Sequence, residues 1–495
     1  MYAHIHTANI DHLKAECIKV EAVGYNGLPG IKITGLPDPV VKESFHRVSS
    51  AFRASKIDLP LKRFIINFVP ADIPKKGSGL DLAIATVLLK AIGVIPIETL
   101  NDTLVFGELS LTGEVRSVKG VLPVLNFSQK KFSKVVIPYE NINEACFFKD
   151  KAIAIKHLKD VIKIAEQTFE PYKDIAPQTQ TNDVKSQVDF GDIIGQPIAI
   201  RCAQISVTGR HHMLLIGSPG CGKTMIGERI PGIMPPLSTQ EKLEINSIYS
   251  ISGLLNSETP LIEQRPYRSP HHSSTDSALI GGARVGEITL AHKGVLFLDE
   301  LSEFKHNVLN ALREPLEKGS INISRANYFQ TMPADFLLIA ASNPCNCGNL
   351  LKRDGTCNCT DHSLDRFKRR LNGPLMDRFD IKLTMCAPKI SVDQLSSTKG
   401  ASINSSKIKE AVINALEFKK ELKEKGIKLK LCSKAKTILD KHIDQNSLSI
   451  RAFKKAINIS KTIAHLEHKD VIQEEHVLES LCYTKPIFYE DKNPR

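Results

Sequence analysis

The chain has 495 residues, enough for about three domains that each bury a core of their own. Its 42% hydrophobic and 24% charged content excludes a fibrous or low-complexity chain, and a formal charge of +12 favours polyanionic partners, nucleic acid first among them. The start, Met-Tyr-Ala-His-Ile-His-Thr, has no basic stretch leading into an apolar core, and the apolar run 80–97 is interrupted by Asp81 and Lys90, so neither a secretory leader nor a membrane span is expected. A cytoplasmic location follows as the expectation. Eleven cysteines are an odd number, and four of them fall within 15 residues, which in a reducing compartment points to metal and away from disulfides.

Residues 1–168 alternate β-type apolar runs (64–69, 104–118, 134–138) with a helical one (80–90), the pattern of a self-contained α/β domain. Residues 169–188, rich in Pro, Gln and Thr, have too little apolar content to pack and read as a linker. A nucleotide domain is expected over 189–390, opening on Asp-Phe-Gly-Asp-Ile-Ile-Gly-Gln. Its residues 212–217 form a short apolar run suited to a buried parallel strand, and Gly217, Ser218, Pro219, Gly220, Cys221, Gly222, Lys223 and Thr224 then write a complete P-loop. The glycines free backbone N–H groups to close around phosphate at a helix N-terminus; Lys223 would neutralise the β- and γ-phosphates of ATP, and Thr224 would place its hydroxyl on Mg²⁺. A second buried run, 295–298, delivers Asp299 to the metal and Glu300 to the water that attacks the γ-phosphate.

Between these elements lies a long stretch, 265–294, with Arg268, His271, His272, Arg284 and Lys293. Beyond them, residues 319–335 read as two short strands around 325–327, where Arg325 and Tyr328 could grip a phosphate and stack on a base; the residues alone also suit an ordinary solvated hairpin. Cys345, Cys347, Cys357 and Cys359 form Cys-x-Cys, nine residues, Cys-x-Cys in a loop at 345–359. Four thiolates match a closed, structural Zn²⁺ site, with His362 as a spare ligand; free thiols in a loop are the alternative. A basic run, Arg366, Lys368, Arg369 and Arg370, follows. Residues 391–484 carry helical periodicity at 408–423, 435–443 and 450–466 and are expected to form an all-α lid, and 485–495 are a tail.

Taken in series, Asp-Phe-Gly-Asp-Ile-Ile-Gly-Gln, the P-loop, Arg-Ser-Pro-His-His-Ser (268–273), Leu-Asp-Glu, Ser-Asn-Pro-Cys (342–345) and Gly-Pro-Leu-Met-Asp-Arg-Phe-Asp (373–380) resemble the magnesium-chelatase-like AAA+ ATPases of the ComM/YifB family. Upstream, Gly-Leu-Pro-Asp-Pro-Val-Val-Lys-Glu-Ser (35–44) and Pro-Ala-Asp-Ile-Pro-Lys-Lys-Gly-Ser-Gly-Leu-Asp-Leu (70–82) resemble that family's N-terminal domain, so the likeness covers nearly the whole chain. The resemblance implies an α/β protein with an N-terminal ribosomal-S5-like domain of the kind found in Lon proteases, a central AAA+ domain and a C-terminal helical lid. It also implies a homo-hexameric ring with ATP at subunit interfaces. Asn343 then matches the sensor-1 residue that orients water, Arg378 the arginine finger that reaches a neighbour's γ-phosphate, and Arg451 the sensor-2 arginine.

Ring ATPases place inserts like 265–294 in the central pore, which makes Arg268, Arg284, Arg325 and Tyr328 candidates for sequence-independent contact with branched or single-stranded DNA. Ser78 beside Lys75 and Lys76 is not read as a protease dyad, for want of a positioned base, and Glu108 and Arg116 are read as fixing a hairpin. Two P-loop positions depart from many relatives, Ser218 and Cys221, and Cys221 becomes a handle for a bulky thiol reagent if the site is accessible. The expected function is a DNA motor that drives branch migration during recombination such as natural transformation, with recombination proteins as partners. The alternatives are a chelatase-like remodeller of a protein partner and an ATP-gated scaffold.

Overall fold

A computed structural model describes residues 2–11, 13–172, 188–255, 261–282, 284–325, 328–350, 357–371, 375–386, 404–444 and 449–484; the side chains of 324–329, 366, 368–371 and 443–444 are outside that description. The chain divides into two units, 1–182 with 239–262, and 183–238 with 263–495.

The first unit is built on β1 (Tyr2–Asp11), β2 (Lys14–Tyr25), β3 (Gly30–Thr34), β4 (Arg63–Val69), β5 (Thr103–Val105), a small ribbon of β6 (Glu108–Leu109) and β7 (Val115–Arg116), β8 (Lys134–Pro138) and β9 (Ala152–Ile155). Seven of these pair in the order β3-β4-β2-β1-β5-β8-β9. β1 and β2 alternate, with Ile5, Ile18, Val20 and Ala22 buried and Lys19 and Glu21 on the other face, so one side of the sheet must be covered. Helix Asp81–Ala91, buried along its whole length, covers it and is the core helix expected from the interrupted apolar run. Its two charges are both held. Arg47 donates to Asp81 at 2.6 and 3.0 Å, and Lys90 donates to the His4 carbonyl at 3.0 Å and Asn101 at 2.9 Å, burial having brought that ammonium down to about 8. Among the described residues no helix is long and apolar enough to cross a membrane.

One helix of this unit comes from far along the chain. Thr239–Ser252 packs Leu243 against the cluster of Leu104, Phe106, Val121 and Leu125, and Ser250 donates to the buried carboxylate of Glu144. Glu144 also accepts from the Leu122 N–H at 3.0 Å and from Asn141 at 2.7 Å, while burial raises its pKa against these donors. The sequence reading runs the nucleotide domain unbroken over 189–390; the structure differs in returning 239–262 to the first unit, because Leu243 and Ser250 of this helix find their partners there.

The second unit holds β10 (Met213–Gly217), β11 (Tyr267–Arg268), β12 (Val295–Leu298), the hairpin strands β13 (Ser320–Arg325) and β14 (Tyr328–Pro333), β15 (Leu337–Ser342) and β16 (Ile381–Met385). Five of them form an all-parallel sheet in the order β11-β12-β15-β10-β16. β10, β12 and β15 are buried at every residue, as their unbroken apolar runs require of strands covered on both faces. Helices Pro197–Gly209 and Lys223–Ile233 supply much of that cover, joined by Ile408, Val412, Ile459 and Ile463 from the C-terminal helices. The other face of helix Ile450–Leu466, at Ala456 and Ala464, meets Leu439, Val477 and Leu481 in a smaller core.

Candidate active site

The strand order decides what meets at the C-terminal edge of the parallel sheet. β10 ends in Gly217 and opens into the P-loop, β12 ends at Leu298 and passes into Asp299 and Glu300, and β15 lies between them and ends just before Asn343. Gly220 and Gly222 take φ of 77° and 94°, a region side chains avoid, and a Cβ on Gly217 would meet the Met385 carbonyl at 2.5 Å. Gln196, the last residue of the opening motif, pins the loop by donating to the Cys221 carbonyl at 3.1 Å and the Cys386 carbonyl at 2.8 Å.

Within this frame Lys223 is buried, and its ammonium donates to the carbonyls of Gly217 (2.7 Å) and Ser218 (3.1 Å) and to Asn343 Oδ1 (3.1 Å). Thr224 Oγ1 donates to Asp299 Oδ2 at 2.8 Å. The Lys223–Asn343 and Thr224–Asp299 bonds tie the P-loop to the ends of β15 and β12. At Glu300 the backbone turns left-handed (φ 50°, ψ 49°), its N–H donating to Asp299 Oδ1 at 2.9 Å. The Glu300 carboxylate lies 3.1 Å from His272 Nδ1. The arrangement offers a cation, a hydroxyl with a carboxylate suited to Mg²⁺, a second carboxylate and a neutral amide around one cleft, the set that phosphoryl transfer to water needs.

Two readings change here. His272, counted in the sequence with a stretch for gripping substrate, belongs beside Glu300; nothing in its local sequence signals a partner 28 positions away. Cys221 is 2% exposed and burial raises its thiol pKa, so it is a poor handle for a thiol reagent despite its place in the loop.

The two arginines have partners away from the P-loop. Arg378 pairs with Glu317, and Arg451 donates to Asp377 at 3.0 Å. Of the DNA-contact candidates, Arg268 on β11 is held by both oxygens of Glu287 at 2.5 and 2.7 Å, which leaves its charge neutralised, whereas Arg284 is exposed. Lys293 is likewise bonded to Asp335 at 2.7 Å, a carboxylate that also accepts from Arg210. Arg325 and Tyr328 face each other as the last pair of the β13–β14 ladder, and their side chains, with the turn 326–327, lie outside the described residues. So do the side chains of Arg366, Lys368, Arg369 and Arg370 and the whole of the tail 485–495.

The four cysteines converge. Cys345, Cys347, Cys357 and Cys359 place their sulfurs within 4.8 Å of one another, with Sγ–Sγ distances of 3.3 Å (345 to 347), 3.5 Å (347 to 357) and 3.8 Å (345 to 357). A tetrahedron of sulfurs about 2.3 Å from Zn²⁺ has edges of about 3.8 Å, and a disulfide would need about 2.05 Å, so the donor set fits the ion.

In the first unit Ser78 donates to Glu108 and Lys75 to the Pro70 carbonyl, so hydroxyl and ammonium have different partners. Glu108 and Arg116 are paired residues of the β6–β7 ribbon.

Comparison with known proteins adds three family models in chain order: "Subunit ChlI of Mg-chelatase" over 20–141, "Magnesium chelatase, subunit ChlI" over 189–394, and "Magnesium chelatase, subunit ChlI C-terminal" over 401–484. The chain is similar to Competence protein ComM of Haemophilus influenzae, 36% identical over 95% of each chain. It is also 38% identical to the protein YifB of Escherichia coli over 97% of this chain and 96% of the relative. A shorter likeness reaches Lon protease 2 of Bacillus subtilis, 36% identical over 31% of this chain and 32% of that one.

Proposed function

We propose that this chain, which belongs to the magnesium-chelatase-like AAA+ ATPases of the ComM/YifB family, is a cytoplasmic, hexameric DNA motor that hydrolyses ATP to drive branch migration in recombination. Family membership implies the ATPase with its ATP and Mg²⁺. The observation that carries the motor's chemistry is the pair of hydrogen bonds by which Lys223 meets Asn343 and Thr224 meets Asp299, since they assemble groups from three strands around one cleft.

The residues divide the work. The P-loop N–H groups and Lys223 hold the phosphates, and Lys223 exchanges its carbonyl partners for phosphate oxygens. Thr224 and Asp299 would hold Mg²⁺, which would supply charge neutralisation to the bound phosphates. Glu300 takes the proton of the attacking water, and Asn343 orients that water. Arg378 acts on the γ-phosphate bound by the neighbouring subunit, and Arg451 couples the helical lid to nucleotide. The four cysteines hold a structural Zn²⁺. Arg284, Arg325 and Tyr328 contact DNA from the pore, with Arg268 recruited only if Glu287 releases it.

DNA as substrate is supported by the charge of +12 and by the printed name of the competence relative. The second reading, a remodeller of a protein partner, is favoured by the three chelatase models along the chain. ATPase rate measured with and without forked DNA at low and high salt separates them. The motor requires stimulation by branched DNA that fades as salt rises, because phosphate contacts release counterions. Indifference to DNA at low salt, with stimulation by a protein partner, would establish the remodeller instead.

A further inference from the structure

The run 343–348 touches the P-loop at both ends. At one end Asn343 accepts from Lys223 at 3.1 Å. At the other, Gly348 lies so close to Pro219 that a Cβ on it would come within 2.7 Å of Pro219 Cδ and 3.0 Å of Cγ. Between the two sit Cys345 and Cys347, and the turn closes with the Gly348 N–H donating to the Cys345 carbonyl at 3.0 Å while Gly348 takes φ of 77°. Only glycine suits both the left-handed backbone and the approach to the proline ring.

Cys345 and Cys347 are the first half of the four-thiol centre, whose other half is Cys357 and Cys359. A tetrahedral ion would fix the turn to those later cysteines, and without it no covalent bond holds the turn in place. We infer that the cysteine centre, when it holds zinc, braces the phosphate loop through the contact of Gly348 with Pro219, so that nucleotide affinity depends on zinc occupancy. Gly348 is thus a positioning residue that acts through Pro219 on the N–H groups beside it. The inference rests on the proposed ATP and zinc sites.

The test measures two quantities on the full chain: zinc released to a chromogenic chelator when the thiols are blocked, and affinity for a fluorescent ATP analogue. Stripping zinc from the wild type should weaken nucleotide binding on the order of tenfold, the loss of about one charge-assisted hydrogen bond, and added zinc should restore it. Gly348→Ala should keep its zinc and still bind nucleotide more weakly. In Pro219→Gly, which removes the braced ring, stripping should change affinity by about twofold or less. Unchanged wild-type affinity on stripping, or a zinc dependence as large in Pro219→Gly, overturns the brace. A wild type that binds no zinc defeats the metal assignment along with the brace, whereas zinc-loaded protein that binds no ATP analogue defeats the nucleotide assignment.

Discussion

His212 shows how a single side chain can set the conditions under which this active site exists. Its Nδ1 accepts from the Leu338 N–H at 3.1 Å and its carbonyl accepts from the N–H of Asp380 and of Ile381, so it joins β10 to β15 and β16. Burial holds its pKa down to about 4, against 6.5 in the unfolded chain. Below pH 6.5 the unfolded chain takes up a proton that the folded one refuses until about pH 4, so stability falls with pH across that window, by up to about 1.4 kcal/mol per unit. Urea midpoints at pH 7, 6 and 5 should decline for the wild type, and His212→Asn, which keeps an acceptor for Leu338, should flatten the decline. At the acidic end of β12, Glu300→Gln should bind ATP as before and lose turnover by a factor of about 10² or more. Normal hydrolysis by that variant would remove Glu300 as the base. The P-loop was legible in the sequence because its chemistry lies in backbone N–H groups and glycine spacing, which are local. The contacts of His272 with Glu300 and Arg268 with Glu287 were not, since each joins residues from separate segments whose approach depends on strand order.

Strand order is also where the element scale adds most to the sequence. The apolar runs at 212–217 and 295–298 read as buried strands from their composition, and β10 and β12 occupy those positions. What the runs do not carry is their neighbours: a parallel strand lacks the alternation that would fix a partner, so the insertion of β15 between β12 and β10 is visible only in the fold. The helix Thr239–Ser252 is a second case. Its apolar residues are too few and too mixed to show which core they join, and the decisive group is Glu144, a polar residue 106 positions upstream of its partner Ser250. Glu144→Ala should leave the Leu122 N–H, Ser250 and Asn141 without their acceptor at a cost of roughly 2 kcal/mol. Hydrogen exchange should then quicken along 239–252, and Glu144→Gln, which retains an acceptor, should show a smaller effect; equal protection in wild type and Glu144→Ala would deny the clasp.

For the whole molecule, the proposed ring makes a demand that a single chain meets only by giving up an ion pair. Arg378 is engaged by Glu317 of its own chain, so to serve a neighbour's nucleotide it must exchange that partner for phosphate. Arg378→Ala should bind nucleotide and fail to turn it over, whereas Lys223→Ala should fail to bind it and be inactive for that reason. Mixed together, the two should recover part of the activity, because some interfaces would unite an intact finger with an intact P-loop. Mixtures as inactive as either variant alone would place Arg378 outside a shared site.

The excursion of 239–262 carries a consequence for how the protein tolerates cutting. Because the polypeptide passes between the two units at 182–183, again at 238–239 and once more at 262–263, they are sewn by three stitches, not hung on one thread. A nick at the first crossing would free neither piece, for the leading fragment would keep hold of a helix whose two ends belong to the trailing one. A shortened protein starting at 189 would instead carry that helix with Leu243 uncovered and Ser250 stripped of its acceptor.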